Sequence, residues 1–308
     1  MSGSPWQGRV DEDPAGFCGR WHQHVQRLPD AGEVEGVALH GFASDAGVRR
    51  NRGRPGASLG PRALRGALAS VPLPRPLPLY DAGDVGEGVD VEAAHAAYRT
   101  RTLGLLGRGL FPLGLGGGHD IAWPTFLALA DRHGGGQAAP RIGILNLDAH
   151  LDLRPGPVAT SGTAFRQAAE HCAAREWPFR YACVGASAFA NTPALFARAA
   201  ELGVLVIPDD ADAATVRTAL TTWLRGVDHL YLTVCLDVLP ASVAPGVSAP
   251  AAAGVPLQQV EAVIDLALAS GLLRVADVAE LNPTFDVDGR TARTAARIAA
   301  RIAHGVCA

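Results

Sequence analysis

Ile142–Arg154 reads IGILNLDAHLDLR. Its first six residues, Ile142–Leu147, form an apolar run of the length and composition of a buried strand. The remainder sets Asp148, His150 and Asp152 at alternate positions. Alternate residues of an extended chain point the same way. The three side chains are therefore expected to project together from the end of that strand into one small volume. Groups of this kind at short range repel or stay unsatisfied unless something positive sits between them. Carboxylate oxygen and neutral imidazole are ordinary ligands of a divalent metal, and a metal is the economical answer.

Strand-like and helix-like stretches alternate on both sides of this segment. Val37–Phe42, Pro78–Asp84 and Phe111–Leu115 read as strands before it; Tyr181–Gly185, Val204–Pro208, Leu230–Asp237 and Leu272–Ala279 read as strands after it. Helices are expected over Pro61–Ala69, Val91–Gly107, Ile121–Arg132, Pro193–Glu201, Ala211–Arg225, Gln258–Ser270 and Thr291–His304, with a further one starting in Thr160–Gln167. Gly134–Gln137 reads as a turn, and residues 1–34 as an irregular arm with at most a short helix. Such alternation argues an α/β fold: a mostly parallel central sheet of about eight strands between two helical layers. No internal repeat or linker divides the chain, so one domain over 1–308 is expected. Ligands in such sheets bind at the carboxyl ends of the strands. The polar candidates His119, Asp148, His150, Asp152, Asp237 and Glu280 all fall there.

Composition narrows the classes. The chain has 308 residues, 48% of them hydrophobic, enough for a large core. A formal net charge of −3 offers no electrostatic footprint for nucleic acid. Every basic residue is arginine, which excludes Schiff-base chemistry on a lysine. The five cysteines are odd in number and show no CxxC spacing, which reads as reduced thiols in a cytoplasmic protein. The polar N-terminal stretch does not resemble a signal peptide, and no apolar run reaches membrane-spanning length.

Taken singly, several motifs are weak. The glycines of Gly116–Asp120 (GGGHD) suit a simple turn, and Asp237 suits a helix cap. Glu280 suits a solvated strand end as well as a recognition carboxylate. The loop Ser44–Gly60 is dense in arginine and glycine; it reads either as a solvated basic loop or as an anion-binding rim following a strand. Four strand ends bearing metal-type residues make chance a poor account of the set.

These motifs, in this order, resemble the ureohydrolase (arginase/agmatinase) superfamily over nearly the whole chain. GFASDAGVRRNRGRPGA (41–57), LYDAGD, LGGGHD, DAHLDLR, SGTAFRQ, APGVSAPAAAGV (244–255) and VAELNPTFDVDGRTARTAARI (278–298) are most similar to its formimidoylglutamase branch. The resemblance implies one ureohydrolase-like catalytic domain and two Mn2+ per subunit. It implies hydrolysis of N-formimidoyl-L-glutamate to L-glutamate and formamide in histidine degradation. His119, Asp148 and Asp152 would bind one ion; His150, Asp237 and the bridging Asp148 would bind the other. Glu280 would receive the cationic amidine, and Asp152 would deliver a proton to the departing nitrogen. Arg154 and Arg166 suit the glutamate carboxylates, with Arg50, Asn51 and Asn191 as further rim candidates. The partner implied is a small molecule, with neither nucleic acid nor membrane; members of the family often form homo-oligomers.

The chain departs from the family pattern at three points. Cys235 stands where the family carries a metal-bridging aspartate. A thiolate there would shift preference toward a softer metal, or the cysteine is buried and inert. Ser161 and Phe165 occupy a neighbourhood where the arginase and agmatinase branches carry a histidine. Asp120 ends GGGHD where glutamate is expected. Two other readings therefore stand beside the first: a guanidino-acid hydrolase, and a catalytically degenerate binder of metal or ligand.

Overall fold

The computed structural model describes residues 4–32, 34–136 and 138–308. Gln137, the last residue of the expected turn, lies outside the described residues. Nine strands form one sheet: β1 (Gln26–Arg27), β2 (Val37–Phe42), β3 (Leu79–Val85), β4 (Phe111–Leu115), β5 (Ile142–Leu147), β6 (Arg180–Ala186), β7 (Leu205–Pro208), β8 (His229–Cys235) and β9 (Leu273–Ala279). Their order is β1-β3-β2-β4-β9-β8-β5-β6-β7, and every ladder is parallel.

Strands covered on both faces read as continuous apolar runs rather than alternating ones. VALHGF and IGILNL are buried at every position, as that rule requires. One face is covered by α3 (Gly60–Ala69), α8 (Ala213–Leu224), α9 (Leu257–Ala269) and α10 (Arg290–Val306), through Leu64, Leu220, Ile264 and Ile298. The other is covered by α4 (Val91–Gly107), α5 (Ala122–His133), α6 (Ala164–Ala173) and α7 (Pro193–Glu201), through Tyr98, Phe126, Phe165 and Leu195.

Two stretches hold more structure than the sequence suggests. The N-terminal segment, read as an irregular arm or a short helix, holds the short helix α1 (Trp21–His24) and, beyond that reading, supplies β1, the ninth strand. Two residues carry no detectable period, but Gln26 and Arg27 pair with Tyr80 and Asp81 of β3. A strand this short also blunts the edge of the sheet. The loop Ser44–Gly60 contains α2 (Ala46–Arg50) and a 3-10 turn at Ala57–Leu59. Five residues with no apolar stripe leave no helical signature.

The strand order does the work of assembly. β4, β9, β8 and β5 are neighbours in the centre, although they are far apart in sequence. Parallel strands lie about 4.8 Å apart, so these four ends span roughly 15 Å. His119, Glu280, Asp237 and Asp148 follow β4, β9, β8 and β5 respectively. The chain leaving β4 can pass this close to its neighbour because Gly117 has no Cβ; an added one would stand 2.0 Å from the carbonyl oxygen of Ser44.

Candidate metal centre and substrate cleft

The β5 ladder stops at Leu147, and the chain beyond does not continue as a pleated strand. Asp152 is left-handed, with φ +46°. Convergence of Asp148, His150 and Asp152 therefore comes from a turned segment, not from the alternation of an extended one. Asn191 holds that turn: its Oδ1 accepts the Leu151 backbone N–H at 2.9 Å, and its Nδ2 donates to the carbonyls of Ala149 and Ser187 at 2.9 Å. The buried Tyr181 hydroxyl donates to the Leu151 carbonyl at 3.2 Å.

Asp148 is fully buried and turns its two oxygens in different directions. Oδ2 lies 2.9 Å from His119 Nδ1, and Oδ1 lies 3.4 Å from His150 Nδ1. Asp152 Oδ2 stands 3.0 Å from the same His119 nitrogen. Asp237, carried by a 3-10 turn at Leu236–Val238, places Oδ2 3.2 Å from His150 Nδ1. Two groups of potential ligand atoms result, His119–Asp148–Cys235 and Asp148–His150–Asp237, the atoms within each lying within 4.8 Å of one another. Asp148 belongs to both.

Glu280 closes the floor. Its Oε1 accepts the His119 backbone N–H at 2.8 Å, and its Oε2 is buried with no hydrogen-bond partner. Glu280 is also left-handed, with φ +72°. Strain of this kind costs about 1–3 kcal/mol per residue and collects where a site over-determines the backbone.

The electrostatics show how crowded the floor is with acidic groups. Burial disfavours a charged ring at His150, yet the Asp237 and Asp148 carboxylates raise it to about 12. Burial also opposes charge on His119, and Asp148 and Asp152 still hold it well above the ordinary imidazole value. Burial and the Asp237 charge push the Glu280 carboxyl up to about 8. Burial, with Asp148 and Asp237 beside it, raises the Cys235 thiol. Four carboxylates and a thiol thus share two imidazoles, and Asp237 Oδ1 is buried without a partner. Oxygen, imidazole and sulfur donors in two overlapping triads fit a pair of divalent cations.

Above this floor opens a cleft of about 270 Å³, with Asn51, Arg52, Arg154, Ser161 and Ser248 around its walls. A larger groove, about 1090 Å³, runs along the β1 edge beside α4 and contains none of these floor residues.

Residues 35–305 match the model of the arginase family. The chain belongs to the arginase family. Formimidoylglutamase of Ralstonia nicotianae is 56% identical over 98% of this chain and 95% of its own length. Formimidoylglutamase of Rhodococcus jostii is 50% identical over 97% of the chain and 94% of its own length. A crystal structure of Trypanosoma cruzi formiminoglutamase with Mn2+ superposes with a TM-score of 0.77 at 28% identity, covering 88% of this chain and 92% of that one. Formimidoylglutamase of Bacillus subtilis shares the fold at a TM-score of 0.82 and 22% identity, over 97% and 94% of the two chains.

Within this arginase-family cleft, the residues expected at the rim divide. Asn51 and Arg154 line it, and Asn51 donates to Ser161 Oγ at 3.1 Å. Arg50 does not: it forms a fork on Glu92, at 2.5 and 2.7 Å, and donates to the Ala159 carbonyl. Arg166 is likewise engaged elsewhere, by Glu170 at 2.5 Å and the Arg154 carbonyl at 2.9 Å. Asn191 uses its whole amide on the turn described above, so it holds the Asp148–Asp152 segment in place rather than lining the cleft. Sequence reasoning missed Arg52, which sits in the left-handed region with φ +63° and faces the cleft from the same arginine-rich loop. It also missed Thr233 and Asp277, each a fully buried polar residue inside an apolar strand. That mismatch was the available signal, because a buried polar group requires partners.

Proposed function

We propose that this chain hydrolyses N-formimidoyl-L-glutamate to formamide and L-glutamate. The observation that carries the reading is the cleft itself: a metal-type floor, a buried carboxylate oxygen of Glu280 with no partner, and Arg52 and Arg154 among the residues of the walls. A substrate with a cationic amidine at one end and two carboxylates at the other matches that order of charges. The names of the relatives at 50–56% identity over nearly full length support the same substrate.

Two divalent ions would be held at the floor, one by His119, Asp148, Asp152 and Cys235, the other by Asp148, His150 and Asp237. Manganese is proposed because the T. cruzi relative was solved with it. When bound, the ions supply Lewis acidity that eases loss of a proton from water near neutral pH and steadies negative charge at the reacting carbon. Glu280 pairs with the amidinium and orients its carbon. Arg52 and Arg154 grip the glutamate carboxylates, fixing which nitrogen departs. Water adds at the formimidoyl carbon, and the bond from that carbon to the glutamate nitrogen breaks. Asp152 passes the proton that this nitrogen needs to leave as an amine.

The test pairs metal content with formamide release, with and without added Mn2+. Two ions per chain, release from N-formimidoyl-L-glutamate, and much slower release of urea from 4-guanidinobutyrate are the expected results. Equal rates on the two substrates would overturn the dicarboxylate reading, and a fully loaded but inert chain would overturn hydrolysis. Cys235→Ala is expected to lose one ion, and Cys235→Asp to keep both. Retention of both ions by Cys235→Ala would make the cysteine inert.

A further inference from the structure

His119 presents its two ring nitrogens to very different neighbours. Nδ1 faces the Asp148 and Asp152 carboxylates at 2.9 and 3.0 Å. Nε2 faces the Thr233 hydroxyl at 3.0 Å. Thr233 lies in turn 2.6 Å from Asp277 Oδ1. These two residues are register partners on the adjacent strands β8 and β9. The second oxygen of Asp277 accepts the Tyr231 hydroxyl at 2.6 Å, with Thr125 Oγ1 3.2 Å away. Thr125, Tyr231, Thr233 and Asp277 are all at 0% exposure, and none of them lines the cleft.

A single proton decides how this chain of contacts reads. A threonine hydroxyl has one hydrogen to donate and lone pairs to accept. Thr233 has two polar neighbours for that hydrogen, and its contact to Asp277 Oδ1, at 2.6 Å, is shorter than the 3.0 Å to His119 Nε2. The hydrogen therefore goes to Asp277. Toward His119 the hydroxyl can then only accept, so Nε2 carries the ring hydrogen. In the neutral ring, the form that ligates a metal, Nδ1 is then left with its lone pair directed at the space between Asp148 and Asp152. The opposite tautomer would put an N–H there, and an N–H cannot ligate. A ligating imidazole depends on what its other nitrogen donates to.

We infer that Thr233 and Asp277 are positioning residues that fix the ring direction and tautomer of His119, holding its Nδ1 ready to ligate a divalent cation. The inference rests on the cleft floor being a metal centre, as proposed above. Neither residue touches substrate. Asp277 acts on the centre through Thr233, and Thr233 acts through His119.

The experiment is Mn2+ titration by calorimetry of the full chain and of His119→Ala, Thr233→Val and Thr233→Ser. Folding of each is checked by thermal melting; Thr233→Ala deletes the same hydroxyl if the valine variant does not fold. Wild type is expected to bind two ions and His119→Ala to lose one of them. Thr233→Val should weaken that same ion by about tenfold to a hundredfold. The other ion should stay within about threefold, a split that general loosening of the core would not produce. Thr233→Ser, which restores the hydroxyl, should return the affinity. Wild-type binding at both ions in Thr233→Val, with one ion lost in His119→Ala, would overturn the inference alone. A wild-type chain that bound no Mn2+ would overturn the metal centre and the inference with it.

Discussion

Asp148 Oδ2 lies 2.9 Å from His119 Nδ1, while the other oxygen of Asp148 faces His150. One carboxylate thus belongs to both ligand groups. Removing it is expected to empty both, whereas removing Asp152, which contacts only His119, should empty one. Metal analysis of Asp148→Ala and Asp152→Ala after dialysis checks this. Equal losses in the two variants would show that Asp148 does not bridge.

Glu280→Gln keeps the shape of the side chain and an oxygen for the His119 backbone N–H, but removes the charge meant for the amidinium. A hydrogen bond to a charged group contributes about 1.5–3 kcal/mol. The expected outcome is a fall in kcat/KM of about 10- to 100-fold with metal content unchanged. Steady-state kinetics beside metal analysis separates the two effects. A variant that lost its metal as well would place Glu280 in the metal centre instead.

Arg52 and Arg154 face the cleft, and Arg50 faces Glu92. Arg52→Ala and Arg154→Ala are each expected to raise KM for the dicarboxylate substrate by about tenfold or more, since each removes a charge-assisted contact. Arg50→Ala should stay within about threefold, its partner Glu92 being exposed on the surface. The three KM values decide which arginines form the clamp. A large effect at Arg50 with none at Arg52 would reverse the assignment.

These arginines also mark where the sequence stopped being legible. Phe111–Leu115, Ile142–Leu147, Val91–Gly107 and Pro193–Glu201 are visible to the residue because apolar runs and helix-start signals are local. Asp90, for one, caps α4 by accepting the Ala93 N–H at 2.8 Å. That β4, β9, β8 and β5 lie side by side is encoded in no local pattern, yet it is what gathers His119, Glu280, Asp237 and Asp148. The residue types that converge at the floor were readable from strand ends and from the resemblance to known motifs. That Arg52 rather than Arg50 lines the cleft was not, because it turns on a left-handed backbone at Arg52 and on Glu92, which lies 42 residues beyond Arg50. Thr233 and Asp277 were missed, although a polar residue inside an apolar strand was the signal available for each.

Arg65 is only 3% exposed and grips Asp81 with two bonds of 2.9 Å and Asp84 with one of 2.5 Å. Asp81 also accepts the Trp6 indole N–H at 2.7 Å, tying the N-terminal segment to β3. Breaking a buried ion pair from one side costs about 3–5 kcal/mol; partial exposure of Asp81 and Asp84 places this one at the low end. Arg65→Ala is expected to lose about 3 kcal/mol in urea unfolding and to shift Trp6 fluorescence. A loss below about 1 kcal/mol would mean that water already satisfies the two aspartates.

The rings of His133 and His229 stack with centroids 3.6 Å apart, at the opposite end of the sheet from the cleft. Burial, together with His229 and Arg132, lowers His133 to about 4, and burial lowers His229 as well. An unfolded histidine titrates near 6.5. Above that pH the rings are neutral in both states and contribute no pH dependence. As pH falls from about 6.5 toward 4, the unfolded chain takes up protons that the folded pair refuses, so stability declines through that window and the decline ends below it. Urea unfolding in steps from pH 7 to pH 4 is expected to show a shallower decline for His133→Gln than for wild type. Superimposable slopes would mean that the stacked pair accepts its proton without strain.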